Sequence, residues 1–174
     1  MKKKNKVVAY VVATTCCLFL QVSCQSANLP VGVTAKVERV VSGNTIEVTL
    51  EKKIIEKVRL LGISAPDLKQ EPWGIAAKVK LEELLKNQTV LLESDVESQD
   101  NYNRILAYIW QNDILINEKL ITEGYVLAEV LPPNIKYQER FLRGQEYARL
   151  MGYGIWNPKK PMRLTPKEFR DKKR

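Results

Sequence analysis

The sequence predicts a β-barrel plus helices, an α+β fold of five short strands and about three helices. Three observations predict it. Period-two alternation fills the stretch after residue 33, helical spacing interrupts it once after the third strand, and helical spacing takes over near the end. The chain has 174 residues, enough for one domain with a substantial core.

The first strand is TAKVERVVS (34–42), closed by the turn residues SGN, and TIEVTL (45–50) is the second. After EKK, IIEKVRLLGI (54–63) is the third. In QEPWGIAAKVKLEELLKN (70–87), Ile75, Val79, Leu81, Leu84 and Leu85 recur at helical spacing. TVLLESDV (89–96) and RILAYIWQN (104–112) are the fourth and fifth strands, joined by the polar loop ESQDNYN. ILINEKLITEG (114–124) and IKYQERFLRGQEYARLMG (135–152) are helical and each ends on glycine, while LPPN between them cannot be helical. Five strands with a helix after the third suggest a Greek-key barrel of the oligonucleotide-binding (OB) type.

The first 24 residues stand apart. KKKNK is a positive n-region, the apolar run VVAYVVATTCCLFLQV is short for a bilayer span, and QVSC ends it. This reads as a signal peptide with a lipobox, acylated at Cys24, although Gln21 stands where an aliphatic residue is usual. Cleavage near Ala27 and an uncleaved anchor are the alternatives. The domain plan is signal 1–24, linker 25–32, domain 33–157 and a basic C-terminal tail 158–174. An exported protein is expected, either secreted or an envelope lipoprotein tethered to a membrane.

Cys16 and Cys17 would leave with the leader, so the mature domain would have no thiol for a disulfide or metal. The chain has no histidine, which excludes Ser-His-Asp and Cys-His catalysis and the usual zinc sites. Asp, Glu, Arg, Lys, Tyr and a hard cation held by oxygens remain. The net charge of +8 is unevenly spread. Residues 1–23 carry four lysines and no acid, residues 159–174 carry +6, and the remainder is −2. The tail reads as an exposed basic arm, either simply solvated or binding nucleic acid or anionic headgroups.

One corner concentrates candidate chemistry. VRLLGISAPDL (58–68) is an apolar strand that carries Arg59 and ends at the acid Asp67; Arg104 follows a polar loop that holds Asp100 and Tyr102. Two arginines and one acid can form an anion site, because guanidinium is planar, permanently charged and bidentate. From the residues alone, the plainer readings also stand: Arg59 in an ion pair with a nearby Glu, and Arg104 as a surface charge.

The anchors RVVSGNTIEV, VRLLGISAPD, QDNYNRILAYIW, LINEKLITEGYVLA and GIW, in this order between about Val33 and Trp156, resemble the staphylococcal nuclease (thermonuclease) family. The resemblance implies a nuclease that uses calcium, two arginines and a carboxylate to cleave DNA and/or RNA. It places the arginines at Arg59 and Arg104, the catalytic acid at Asp67 and a phosphate-contacting tyrosine at Tyr102. The sequence also departs from the family. The two calcium-binding aspartates fall on Asn44 and Ser64, and the ligating carbonyl on Ala65, so Ca2+ is expected to bind weakly or to be replaced by another divalent cation. Asp67 is one methylene shorter than the family glutamate, with Glu71 a possible substitute. Glu129 and Leu131 occupy the loop where the family has tyrosines.

Three readings follow: an exported phosphodiesterase with altered metal use, a cleavage-deficient nucleic-acid-binding OB module, and an envelope protein-interaction module. No obligate protein partner is implied.

Overall fold

The computed structural model describes residues 30–51 and 54–172; the expected signal peptide, with Cys24, falls outside the described residues. The barrel strands are β1 (Val33–Ser42), β2 (Thr45–Thr49), β3 (Ile55–Leu60), β5 (Thr89–Glu93) and β6 (Ile105–Gln111). β1 pairs antiparallel with both β2 and β5, β2 with β3, and β5 with β6. A parallel pairing of β3 with β6, Val58 opposite Ile105 and Arg59 opposite Leu106, closes the ring. This is the expected five-stranded barrel. β1 can serve two partners because it is ten residues long and irregular in register at Val37/Arg39 and Val40/Ser42, where it bends from one neighbour to the other.

Alternation sends Val37, Ile46, Val48, Val58, Leu60 and Ile109 into the barrel, all fully buried. Each such side chain contributes roughly 1.5–3 kcal/mol of burial. Helix α1 (Trp73–Leu85) covers the barrel through Gly74, Ala77, Leu81 and Leu85. Here the structure differs from the sequence reading, because Ile75 and Val79 are 47% and 44% exposed. The packed stripe instead runs through Ala77, whose small side chain lets the helix approach the β1–β2 turn. A Cβ on Gly43 in that turn would come within 2.7 Å of the Ala77 methyl.

Short elements the alternation did not mark join these. β4 (Ile63–Ser64) pairs with β8 (Leu127–Ala128), and β7 (Ile114–Leu115) pairs with β6. Helix α2 (Ile116–Thr122) is tied to the barrel by the buried Asn117, whose Oδ1 accepts from Ile109 N–H at 2.9 Å and whose Nδ2 donates to Leu61 O at 2.8 Å. Helix α3 (Gln138–Met151) ends at Gly152, which takes the left-handed conformation of a C-terminal cap. Its Phe141 ring packs under Gly62, where a Cβ would approach within 2.5 Å of the ring.

The basic C-terminal segment is not an extended arm. Met162 N–H donates to Ile155 O, and Gln70 Nε2 donates to Leu164 O at 2.7 Å, fastening the segment to the turn before α1. It then forms α4 (Pro166–Asp171), started by a capping box between Thr165 and Glu168 with proline in the first turn. Among the described residues no helix is long and apolar enough to cross a membrane.

Candidate active site

Arg59 sits on the outward face of β3, between the buried Val58 and Leu60. Its guanidinium is turned inward over the β3–β4 corner, where Nη1 donates to Leu60 O at 2.9 Å and Nη2 to Ile63 O at 2.8 Å. Nη2 also pairs with Glu129 Oε2 at 3.1 Å, the two side chains being 16% and 29% exposed. The β4–β8 ladder brings Glu129 there. Ser64 faces Leu127, Ile63 faces Ala128, and Glu129 N–H donates to Gly62 O at 2.9 Å.

Asn44, in the β1–β2 turn, completes the cradle. The amide orientation that satisfies its surroundings directs Oδ1 at Arg59 Nη1 (2.8 Å) and Nη2 (3.2 Å) and at Ala65 N–H (3.2 Å), with Nδ2 donating to Ser42 Oγ. Burial pushes the Arg59 guanidinium down to about 10. Glu129 and Asp100 counter this, while Arg104 and Arg170 reinforce it, and Arg59 remains a cation at neutral pH.

Arg104 immediately precedes β6. Arg59 lies opposite Leu106, so the two-residue offset places Arg104 on the same outward face of the β3–β6 pair. Its Nε and Nη2 donate to Asp100 Oδ2 at 2.8 and 2.6 Å. Asp100 also accepts from the backbone N–H groups of Tyr102 (2.9 Å) and Arg104 (3.0 Å), which fixes the loop. Burial raises the Asp100 carboxyl, but the hydrogen bonds from Arg104 and Tyr102 outweigh it and hold the group below the usual carboxylate range. The Tyr102 ring is 81% exposed and lies 5.4 Å from the Arg104 guanidinium.

Asp67 is half-buried after Pro66, with Oδ1 accepting from Lys69 N–H at 2.8 Å and its carbonyl accepting from Gln70 N–H. Among the described residues no hydrogen bond or ion pair links it to Arg59 or Arg104. Glu71 is exposed in the turn before α1, so it is not carried one helical turn from Asp67. Ser64 is buried, and Leu131 lies in the exposed loop after Glu129. The structure therefore brings together Arg59, Arg104, Asn44, Ser64 and Ala65, and sets Asp67 on the adjoining corner. The sequence left an ion pair of Arg59 with a Glu open and noted Glu129 in its loop, but did not join the two, and it did not mark Arg170 of α4. Neither has a local signal, since Glu129 is 70 residues from Arg59.

The family model described as "Staphylococcal nuclease homologue" matches residues 57–158, more than half the chain. The chain belongs to the staphylococcal nuclease family. The thermonuclease of Staphylococcus hyicus is 37% identical over 129 residues, covering 71% of this chain and 76% of its own length. That of Staphylococcus intermedius is 38% identical over 125 residues, covering 69% and 74%. Endonuclease YncB of Bacillus subtilis is 30% identical over 132 residues, covering 72% of this chain and 62% of its own length. Arg59, Asp67, Tyr102 and Arg104 fall inside the family match, and Asn44 falls outside it.

The family's calcium does not fit the donors present at the implied position. Asn44, Ser64 and Ala65 offer no formal negative charge, and the Asn44 oxygen faces a guanidinium and an amide N–H, both positive poles. Among the described residues no three acids, cysteines or histidines cluster to hold a metal.

Proposed function

We propose that the chain is an exported nuclease that hydrolyses phosphodiester bonds of DNA and/or RNA at the Arg59–Arg104 face, without a calcium ion held by Asn44, Ser64 and Ala65. The thermonucleases and the endonuclease among its relatives support hydrolysis of nucleic acid. The observation that carries the site is the pairing of β3 with β6, which presents two arginines on one outward face, each already holding a carboxylate.

Those carboxylates mark where phosphate oxygens would bind. A phosphodiester that displaces Glu129 from Arg59 and Asp100 from Arg104 would receive donors from two forks. Both strengthen as negative charge accumulates on phosphorus. Asp67 would take a proton from the attacking water. The water oxygen bonds to phosphorus, the bond to the leaving ribose oxygen breaks, and that oxygen is protonated from solvent. Tyr102, exposed beside Arg104, would contact the substrate phosphate. The leader pattern supports export, with Cys24 as the lipidation site and a membrane as the resulting partner.

A second reading, nucleic-acid binding without cleavage, is favoured by one observation: Asp67 has no hydrogen bond to either arginine. Single-turnover cleavage and binding of an oligonucleotide by Asp67→Asn and Arg104→Ala separate the two. The nuclease reading expects Asp67→Asn to keep binding within a few-fold and to lose about 10²-fold or more in cleavage rate. Unchanged cleavage in both variants would sink the assignment.

A further inference from the structure

Lys159, Lys160 and Arg163, just beyond the family match, are exposed cations that line a cleft beside the turn following Asp67. The turn before α1 and the returning segment 159–169 enclose a cleft of about 550 Å³, lined by Lys69, Glu71, Trp73, Lys159, Lys160 and Arg163 among others. Four cations face one acid there, and none of the four joins an ion pair among the described residues, although twelve pairs form elsewhere. A second hollow of about 240 Å³ shares Trp73 and Lys160 and adds Tyr125. The two hollows adjoin through Trp73 and Lys160 and form one trough, lined by the Trp73 ring and by Tyr125, whose ring lies 5.6 Å from Lys80 Nζ.

This trough is built, not incidental. Gln70, buried at 3%, fastens Leu164 at 2.7 Å, and the capping box fixes the helix that follows. Its wall is also continuous with the site, because Asp67 turns directly into Lys69 and Gln70, and the Asp67 carbonyl packs on Gly74, where a Cβ would come within 1.9 Å of it. Arg170 on α4 lies near enough to act on Arg59 electrostatically. A cationic groove interleaved with aromatic rings suits a flexible polyanion with stackable faces, and a single strand supplies both.

We propose that this trough binds the flanking nucleotides of a single-stranded nucleic acid whose scissile phosphate lies at Arg59 and Arg104. It deepens the nuclease reading and rests on it for the substrate class. It makes the C-terminal segment a strand guide that extends the substrate footprint beyond the scissile bond.

The test uses the protein from residue 25 to its C-terminus, with Lys159→Ala/Lys160→Ala/Arg163→Ala and a second variant, Lys160→Glu. Binding of an oligothymidylate dodecanucleotide is followed by fluorescence anisotropy across salt concentrations, beside cleavage of a dinucleotide. The triple variant is expected to bind the dodecamer at least about tenfold more weakly at roughly 0.1 M salt. Its salt slope should fall by about two, near 0.7 for each phosphate no longer neutralised. Dinucleotide cleavage should stay within about twofold, and Lys160→Glu should move in the same direction. Dodecamer binding unchanged in both variants overturns the proposal, as does equal weakening for both lengths. Loss of binding to phosphatidylglycerol vesicles alone, with oligonucleotide binding intact, also overturns it. If the wild type cleaves nothing, the nuclease reading fails, yet the binding series still decides whether the trough holds a strand.

Discussion

Glu129 Oε2 lies 3.1 Å from Arg59 Nη2, so the arginine best placed to receive a phosphate already holds an anion from its own chain. The carboxylate competes with substrate for the same fork. Arg59 would not be stranded without it, because the carbonyls of Leu60 and Ile63 and the Asn44 oxygen still accept from it. Glu129→Gln is expected to tighten oligonucleotide binding by about two- to tenfold, the range of a half-buried ion pair of up to about 1.4 kcal/mol. Equilibrium binding at fixed salt checks this, and weaker binding by the variant would show that Glu129 organises the site instead.

Asn44 carries the metal question. With its oxygen directed at Arg59, the wild type should show no saturable calcium binding below about 10⁻³ M. Asn44→Asp/Ser64→Asp restores two charges and should bring binding into the range of roughly 10⁻⁴–10⁻³ M. Calorimetric titration reads both directly. Tight calcium binding by the wild type would contradict the reading of this corner.

Asp100 gives a pH prediction. Its pKa is lowered in the folded state, so its contribution to stability is complete above the unfolded carboxylate value of about 3.9 and is lost as pH falls through the lower folded value. The melting temperature of wild type should therefore exceed that of Asp100→Asn at pH 6. The gap should close on acidification below about pH 4. A gap independent of pH would mean that the loop is not held by the charged form.

Asn117 tests the coupling of helix to barrel. Removing its amide leaves Ile109 N–H and Leu61 O buried without this partner. Asn117→Ala should lower unfolding stability by about 2–4 kcal/mol in urea titration. A loss under about 1 kcal/mol would indicate that other groups take over both bonds.

Much of this architecture was legible because its signals are local. Val37, Ile46, Val48 and Val58 alternate with polar neighbours, and SGN marks the hairpin, so the barrel strands could be read directly. The helix covering the barrel was visible but its buried face was not. Ile75 and Val79 are more apolar than Ala77, yet close approach to Gly43 selects the small residue. Arg59 and Arg104 could be singled out as anion ligands from the chain. Their present partners could not be ranked equally, since Asp100 is four residues from Arg104 whereas Glu129 reaches Arg59 only through the β4–β8 ladder. The C-terminal segment read as an arm because its charges suggest solvation. Its capping residues, Thr165 and Glu168, were the missed sign of a helix.

The most direct measurement follows cleavage of single-stranded DNA and RNA by residues 25–174, with calcium, with manganese or magnesium, and with EDTA, beside Arg59→Ala. The account predicts cleavage that does not require calcium and that falls by about 10²-fold or more in the variant, the scale of losing one transition-state donor. Cleavage undiminished in Arg59→Ala, or none by the wild type in any of these conditions, would contradict it.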